Sequence, residues 1–306
     1  MHLNRRLALA LGCAAWLPTR AAAAPAPAPG PAPALPAADA PLIVASFSIL
    51  ADMARELAPP GAQVHALVGA DADAHVYEPR PADGRRLAAA ELVLINGLGF
   101  EGWMERMVKV SGYRGPVVVA TTGIQARKAG GRTDPHAWQD LAMAQRYAAN
   151  LHAAFVQRWP QQQVVLAARH DDYQARLRAL DQQVRAWLAP VPREQRRVIT
   201  SHGAFGYYAD AYGVDFFTAQ GWSTHSEPSA AAVARLIRQI KREGVRTVFI
   251  ENISDPRLVS QIARETGARL GGTLYSDALS QAAGPAPSYL KLIEHNTRTL
   301  AAAWQG

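Results

Sequence analysis

Four side chains in this 306-residue chain have the types and surroundings to hold a metal ion together. His75 ends the loop "GADADAH", His136 lies in "TDPHAW", His202 in "VITSHGAFGYY" and Asp277 in "LYSDALS". Each stands in a loop or at a helix entrance, and several follow an apolar run that reads as a strand. In open α/β sheets such loops, at the carboxyl ends of strands, converge on ligands. Three neutral imidazoles and one carboxylate make a complete ligand set for four-coordinate zinc. Imidazole also suits iron and nickel, and the carboxylate admits manganese, so residue types alone do not fix the metal. In "TDPHAW", Thr133 or Asp134 is expected to cap a helix and Pro135 to occupy its first turn, which would hold His136 rigidly. Ser201 is expected to do the same for His202. Spacing alone leaves a second reading open, in which each of the four is a separately satisfied loop residue.

The remaining histidines of the chain after its leader carry less. His152, His170 and His295 fall in helical patterns among charged neighbours and read as solvated surface. His65 is in a strand and fits either core or surface, and His225, in "STHSEPS", reads as decoration of a loop before a helix. No "HExxH" occurs, and four protein ligands would leave no open position for a catalytic water, so an enzyme of the zinc hydrolase kind is not expected.

The elements that must position these residues alternate. "LIVAS", "QVHALV", "ELVLING" and "PVVVA" read as strands, separated by helical "SILADMARELA" and "RPADGRRLAAA". The theme returns with "RVITS", "VDFFTA", "VRTVFIE" and "ARLGGTL", separated by "AAAVARLIRQIKREG" and "PRLVSQIARETG". Alternation with such apolar strands predicts two α/β lobes with mostly parallel sheets. Between them Tyr173, Leu177, Leu180, Val184, Trp187 and Leu188 recur at helical spacing until Pro190 and Pro192, which predicts one long joining helix. The divisions are an N-terminal lobe at 41–159, the helix at 160–189 and a C-terminal lobe at 190–306.

The start of the chain differs. Arg5 and Arg6, an apolar run from Leu7 to Leu17 and small residues at Ala21–Ala23 form the pattern of a cleavable export signal over residues 1–24, too short to span a bilayer as a helix. The Pro/Ala tract at 25–40 reads as an extended tether. The only cysteine, Cys13, lies inside the signal, so the exported chain can build neither a disulfide nor a thiolate metal site. Lipid attachment at Cys13 is a lesser reading, because the residues before it only loosely match a lipoprotein signal. Hydrophobic residues at 49% and charged residues at 19% fit a folded globular body. The net charge of +7 comes from arginines scattered among acids and apolar positions along helices, which argues against a nucleic-acid partner.

Five ordered segments, "DAHVYEPRPAD", "TDPHAW", "SHGAFGYYADAYG", "TLYSDALS" and "SYLKLIEHN", resemble those of the zinc/manganese solute-binding proteins of ABC importers. The resemblance runs from Pro41 to the C-terminus. It implies two Rossmann-like lobes joined by a single long α-helix, a metal in the cleft between them, and delivery to an ABC permease at the inner membrane from the periplasm. By the same resemblance, the ligands are His75, His136, His202 and Asp277. It also calls for partners that orient the imidazoles, for which Glu251 and Glu227 are the candidates. Two departures bear on the metal. The segment before His136 is basic and lacks the histidine-rich acidic loop of many zinc-specific members. A histidine at 202, where manganese members often carry a carboxylate, favours Zn(2+) over Mn(2+) or Fe(2+). A monomer is expected, and the competing function is a metal-stabilised adhesin or interaction protein.

Overall fold

Apolar runs rich in Val, Ile and Leu become central strands here because both faces of each sheet are covered by helices. A computed structural model describes residues 40–129, 131–226 and 228–305. The leader, the tether up to residue 39 and Glu227 lie outside the described residues. The N-terminal lobe runs β1 (Leu42–Phe47), α1 (Ser48–Leu57), β2 (Gln63–Val68), α2 (Pro81–Ala89), β3 (Leu92–Ile95), α3 (Met104–Ser111) and β4 (Val117–Val119). A small antiparallel ladder, β5 (Lys128–Ala129) with β6 (Arg132–Thr133), precedes α4 (Leu141–Arg158) and the long α5 (Gln163–Leu188). The C-terminal lobe runs β7 (Arg197–Thr200), α6 (Gly206–Tyr212), β8 (Asp215–Thr218), α7 (Ala230–Glu243), β9 (Thr247–Glu251), α8 (Pro256–Thr266) and β10 (Arg269–Leu274), and ends in α9 (Tyr289–Gln305).

Both sheets are parallel and share one strand order. The first is β2-β1-β3-β4 and the second, read from its other edge, β8-β7-β9-β10. The first and third strands of each lobe are therefore adjacent, and their carboxyl ends face the junction of the lobes. In β10 the ladder slips between Leu270 and Thr273, and a Cβ at Gly271 would lie 2.5 Å from the Phe249 ring and the Thr247 methyl. Glycine is required there for the strand to approach its neighbour.

The joining helix is not a free rod. Tyr173, Leu177, Leu180, Val184 and Leu188 are buried along it, and it packs on α4, α1 and α9. The Arg298 guanidinium of α9 lies 4.3 Å from the ring centroid of Trp187. Helices from both lobes thus share one apolar core, which also takes in Phe47, Trp138, Tyr147 and Tyr289.

Asp52 on α1 ties into this core by accepting the Tyr289 backbone N–H at the start of α9 (2.7 Å). Burial pushes its carboxyl up from 3.8 to about 6, against the opposing effect of that hydrogen bond. The folded protein therefore binds more protons than the unfolded chain between these values, so stability should fall as pH rises through the window. Asp52→Asn keeps an acceptor for Tyr289 and removes the ionisation. It should stabilise the protein by about 2 kcal/mol at pH 7 and by almost nothing at pH 3.5. Urea unfolding at the two pH values checks this, and equal effects at both would refute the assignment.

Candidate metal centre

The four residues picked out by sequence come from four loops. His75 lies between β2 and α2. His136 opens a 3-10 turn, Ala137–Gln139, ahead of α4. His202 directly follows β7, and Asp277 follows β10. Their side chains meet at the lobe junction, and a nitrogen or oxygen from each lies within 4.8 Å of the others. Nε2 of His75 is 3.3 Å from Nε2 of His136 and 3.2 Å from Asp277 Oδ2. His202 Nε2 is 3.2 Å from the same Oδ2, and His136 Nε2 is 3.6 Å from Asp277 Oδ1. Ligands about 2.0–2.1 Å from a tetrahedral ion lie roughly 3.3–3.4 Å apart along the tetrahedron's edges. Three of the separations, at 3.2–3.3 Å, are already close to that edge length, and all four ligand atoms lie within 4.8 Å of one another.

All four side chains are buried: His136, His202 and Asp277 are 0% exposed and His75 is 4% exposed. Asp277 Oδ1 has no hydrogen-bond partner, an expensive condition for a buried carboxylate unless a cation answers it. The donor set thus fits a divalent ion.

Two imidazoles are held from behind by carboxylates. His136 Nδ1 donates to Asp134 Oδ1 (2.8 Å), and His202 Nδ1 lies 2.6 Å from Glu251 Oε2. A carboxylate can only accept, so Nδ1 is the nitrogen that keeps its proton, and in the neutral ring the Nε2 lone pair is left to face the cluster. Glu251 also accepts Ser201 Oγ (2.5 Å) and the His202 backbone N–H (2.9 Å). The N-terminal lobe repeats the device at the matching strand ends. Glu101 accepts Ser46 Oγ (2.5 Å) and the backbone N–H groups of Asn96 (2.6 Å) and Gly97 (3.2 Å). There the residue after the serine is Phe47, not a histidine. It packs on Phe100 and Trp138 with ring centroids 4.9 and 5.0 Å away, and those rings in turn flank His75 and His136.

The charges respond to this setting. Burial opposes a charge on His202, but the Glu251 and Asp277 carboxylates outweigh it and hold the imidazole well above its usual range. His136 is raised on the same balance, burial against Asp277 and Asp134. At His75 burial wins over Asp277 and the pKa is lowered. Burial would raise Asp277, yet the imidazoles of His136 and His202 bring it well below the ordinary carboxylate value. At His136 and His202 the shifts favour pairing a charged imidazole with the surrounding carboxylates, and at His75 they do not.

Cross-lobe bonds fix the arrangement. Trp138 Nε1 and Gln139 Nε2 both donate to the Ser276 carbonyl (3.0 and 2.8 Å), tying "TDPHAW" to "SDALS". Arg127 bridges Asp134 (3.4 Å) and Asp210 of α6 (2.9 Å).

Several expectations from sequence need correction. Asp134 caps no helix: Asp140 caps α4, and Asp134 holds His136 by its backbone N–H (3.0 Å) and its ring. Ser201 likewise caps nothing and donates to Glu251. His152 and His170 are not simply solvated but half-buried and stacked, centroids 4.5 Å apart, between α4 and α5. His295 is half-buried and bonded to the Thr273 carbonyl (3.0 Å). His225 is exposed, bonds Ser223 Oγ (3.0 Å) and takes no part in the cluster. Of the two glutamates named as orienting partners, Glu251 touches a cluster imidazole. Asp134 also touches a cluster imidazole, and Asp73 holds its histidine by the backbone alone; the sequence carries a signal for both. Each precedes a cluster histidine by two residues, in "DAH" and "DPH", and each accepts that histidine's backbone N–H.

Two like α/β lobes, a docked joining helix and a buried three-imidazole, one-carboxylate cluster at their junction define a metal-binding substrate-binding protein of the ABC-transporter type. The chain belongs to the family described as "Zinc-uptake complex component A periplasmic", which it matches over residues 43–303. Among its relatives, the iron-binding protein YfeA of Yersinia pestis is 33% identical over 266 residues, covering 85% of each chain. The manganese-binding lipoprotein MntA of Halalkalibacterium halodurans is 28% identical over 259 residues, 84% of this chain and 86% of its own. The periplasmic zinc-binding protein TroA of Treponema pallidum, known as a structure, superposes with a TM-score of 0.83 at 28% identity, over 87% of this chain and 99% of TroA.

Proposed function

We propose that this protein captures a divalent transition metal, zinc before manganese or iron, outside the cytoplasmic membrane and delivers it to an ABC permease in that membrane. His75, His136, His202 and Asp277 are its ligands. The observation that carries this reading is the convergence of four buried ligand atoms within 4.8 Å, three of their separations being 3.2–3.3 Å. Three imidazoles to one carboxylate favour zinc over the harder manganese ion. Relatives are named for iron, manganese and zinc, which is why the ligand chemistry and not kinship supports the preference. Residues 1–24 act as the export signal and 25–40 as a tether, and the protein works as a monomer. Capture and release suit this site better than catalysis, because four protein ligands close the coordination shell.

Calorimetric titration of the metal-stripped mature protein with zinc and then manganese tests the proposal. One tight zinc site in a protein folded before and after loading is expected. The carboxylates beside His136 and His202 favour protons on those imidazoles, so loading should release protons, read from enthalpies in buffers of different ionisation heat. Affinity should rise with pH through neutrality. A folded protein that takes up no zinc would sink the proposal, and a proton count of zero would sink the protonated cluster.

A further inference from the structure

Of the four proposed ligands, His75 rides on a segment that the opposite lobe holds. After β2 ends at Val68, residues 69–75 cross to the C-terminal lobe. Asp71 donates its backbone N–H to the Leu279 carbonyl (2.9 Å), and its carboxylate accepts Asn252 Nδ2 (3.0 Å) and the Gln281 backbone N–H (3.3 Å). Asp71 adopts φ 54°, a left-handed conformation that aspartate tolerates better than most residues and that turns the strap. Two residues on, one oxygen of Asp73 accepts the His75 backbone N–H (2.8 Å) and the other accepts Thr224 Oγ (2.5 Å). A single carboxylate therefore sets the position of a ligand and fastens the strap to the segment between β8 and α7.

A cavity of about 790 Å³ lies beside this bond, lined by Asp73, Ser201, Gln220, Thr224, Ser254 and Arg264 among others. Its wall at Ser201 is one residue from His202. The cluster itself is enclosed, and His75, on the strap, is the one member with any exposure. An ion can leave only if some ligand moves, and His75 is the ligand whose support can move without disturbing either sheet.

We infer that the Asp73–Thr224 hydrogen bond is a latch on strap 69–75, and that its opening swings His75 out and joins the site to the cavity, so that it sets how fast the ion enters and leaves. This rests on the metal-capture reading above. On this proposal the latch closes over the empty and the loaded site alike, so breaking it speeds both directions and leaves their ratio nearly unchanged. A contact that merely propped His75 in place would change release and affinity together.

The test is stopped-flow kinetics on the full mature chain. Zinc capture is followed with a fluorescent zinc indicator, and zinc loss with excess chelator, for the wild type, Thr224→Val and Thr224→Ser. Thr224→Val removes the hydroxyl at nearly constant volume. Both rates should rise about tenfold, the scale of one hydrogen bond to a charged group, with Kd within about threefold of wild type. Thr224→Ser, which keeps the hydroxyl, should restore both rates. Unchanged rates in Thr224→Val would overturn the latch, as would faster release with proportionally weaker affinity. A wild type that takes up no zinc would instead remove the metal reading on which the latch depends.

Discussion

Zinc affinity is expected to fall about 10²- to 10³-fold when His136 is replaced by alanine, while the metal-free protein stays folded. A four-ligand zinc site is worth roughly 10–16 kcal/mol, so one ligand carries about 3–4. The fold should survive because the groups around His136 keep partners without its ring. Asp134 still accepts the backbone N–H of residue 136 and the Arg127 guanidinium, and Trp138 and Gln139 still bind the Ser276 carbonyl. The rise in melting temperature that zinc gives the wild type should shrink accordingly, since ligand stabilisation follows occupancy. Asp277→Ala should act differently. It removes the only oxygen donor of the cluster, so manganese should lose more than zinc. Competitive titration with both ions checks the pair of variants. Wild-type zinc affinity in His136→Ala would exclude that residue as a ligand, and an unchanged zinc-to-manganese ratio in Asp277→Ala would exclude the aspartate.

The extent to which this could be read from sequence follows from the range of the forces involved. Strands such as Leu92–Ile95 and Thr247–Glu251 are legible because their apolar runs are local. The joining helix is legible for the same reason, its buried positions recurring every three or four residues. Strand order is not local, and nothing in either half announces that both sheets would adopt the same one. For the site, residue types and loop positions supplied four candidates, and the family resemblance joined them into one set. Errors arose where a polar residue had two plausible bonds. Asp134 stands where a helix cap would stand, but the helix begins seven residues later at Leu141, and the carboxylate turns to the imidazole of His136 instead. His152 and His170 look solvated in their own helices. They are covered only because α4 and α5 pack together.

The carboxylate behind His202 offers the most discriminating experiment, because one atom can be changed without altering the shape of the site. Glu251 is buried, accepts Ser201 Oγ and the His202 backbone N–H on one oxygen, and sets its other oxygen in ion-pair contact 2.6 Å from His202 Nδ1. In Glu251→Gln the amide oxygen can serve the first two, which approach the same carboxylate oxygen. The amide nitrogen then faces Nδ1 of His202, and as a donor it requires a lone pair there. The imidazole proton is driven to Nε2, the atom that should bind the metal. Turning the amide over does not help, because its nitrogen would then meet the His202 backbone N–H, donor against donor. Zinc binding must therefore reverse the tautomer at the cost of a buried hydrogen bond, and affinity should drop about 10- to 100-fold, the range typical of losing such an outer partner. The imidazole also loses the carboxylate that most strongly raises its pKa, so fewer protons should be released on loading. Nitrogen chemical shifts of His202 in the metal-free variant report the tautomer directly. A proton still on Nδ1, with wild-type affinity, would mean that Glu251 serves the fold of the β7–α6 turn and leaves the metal to the four ligands alone.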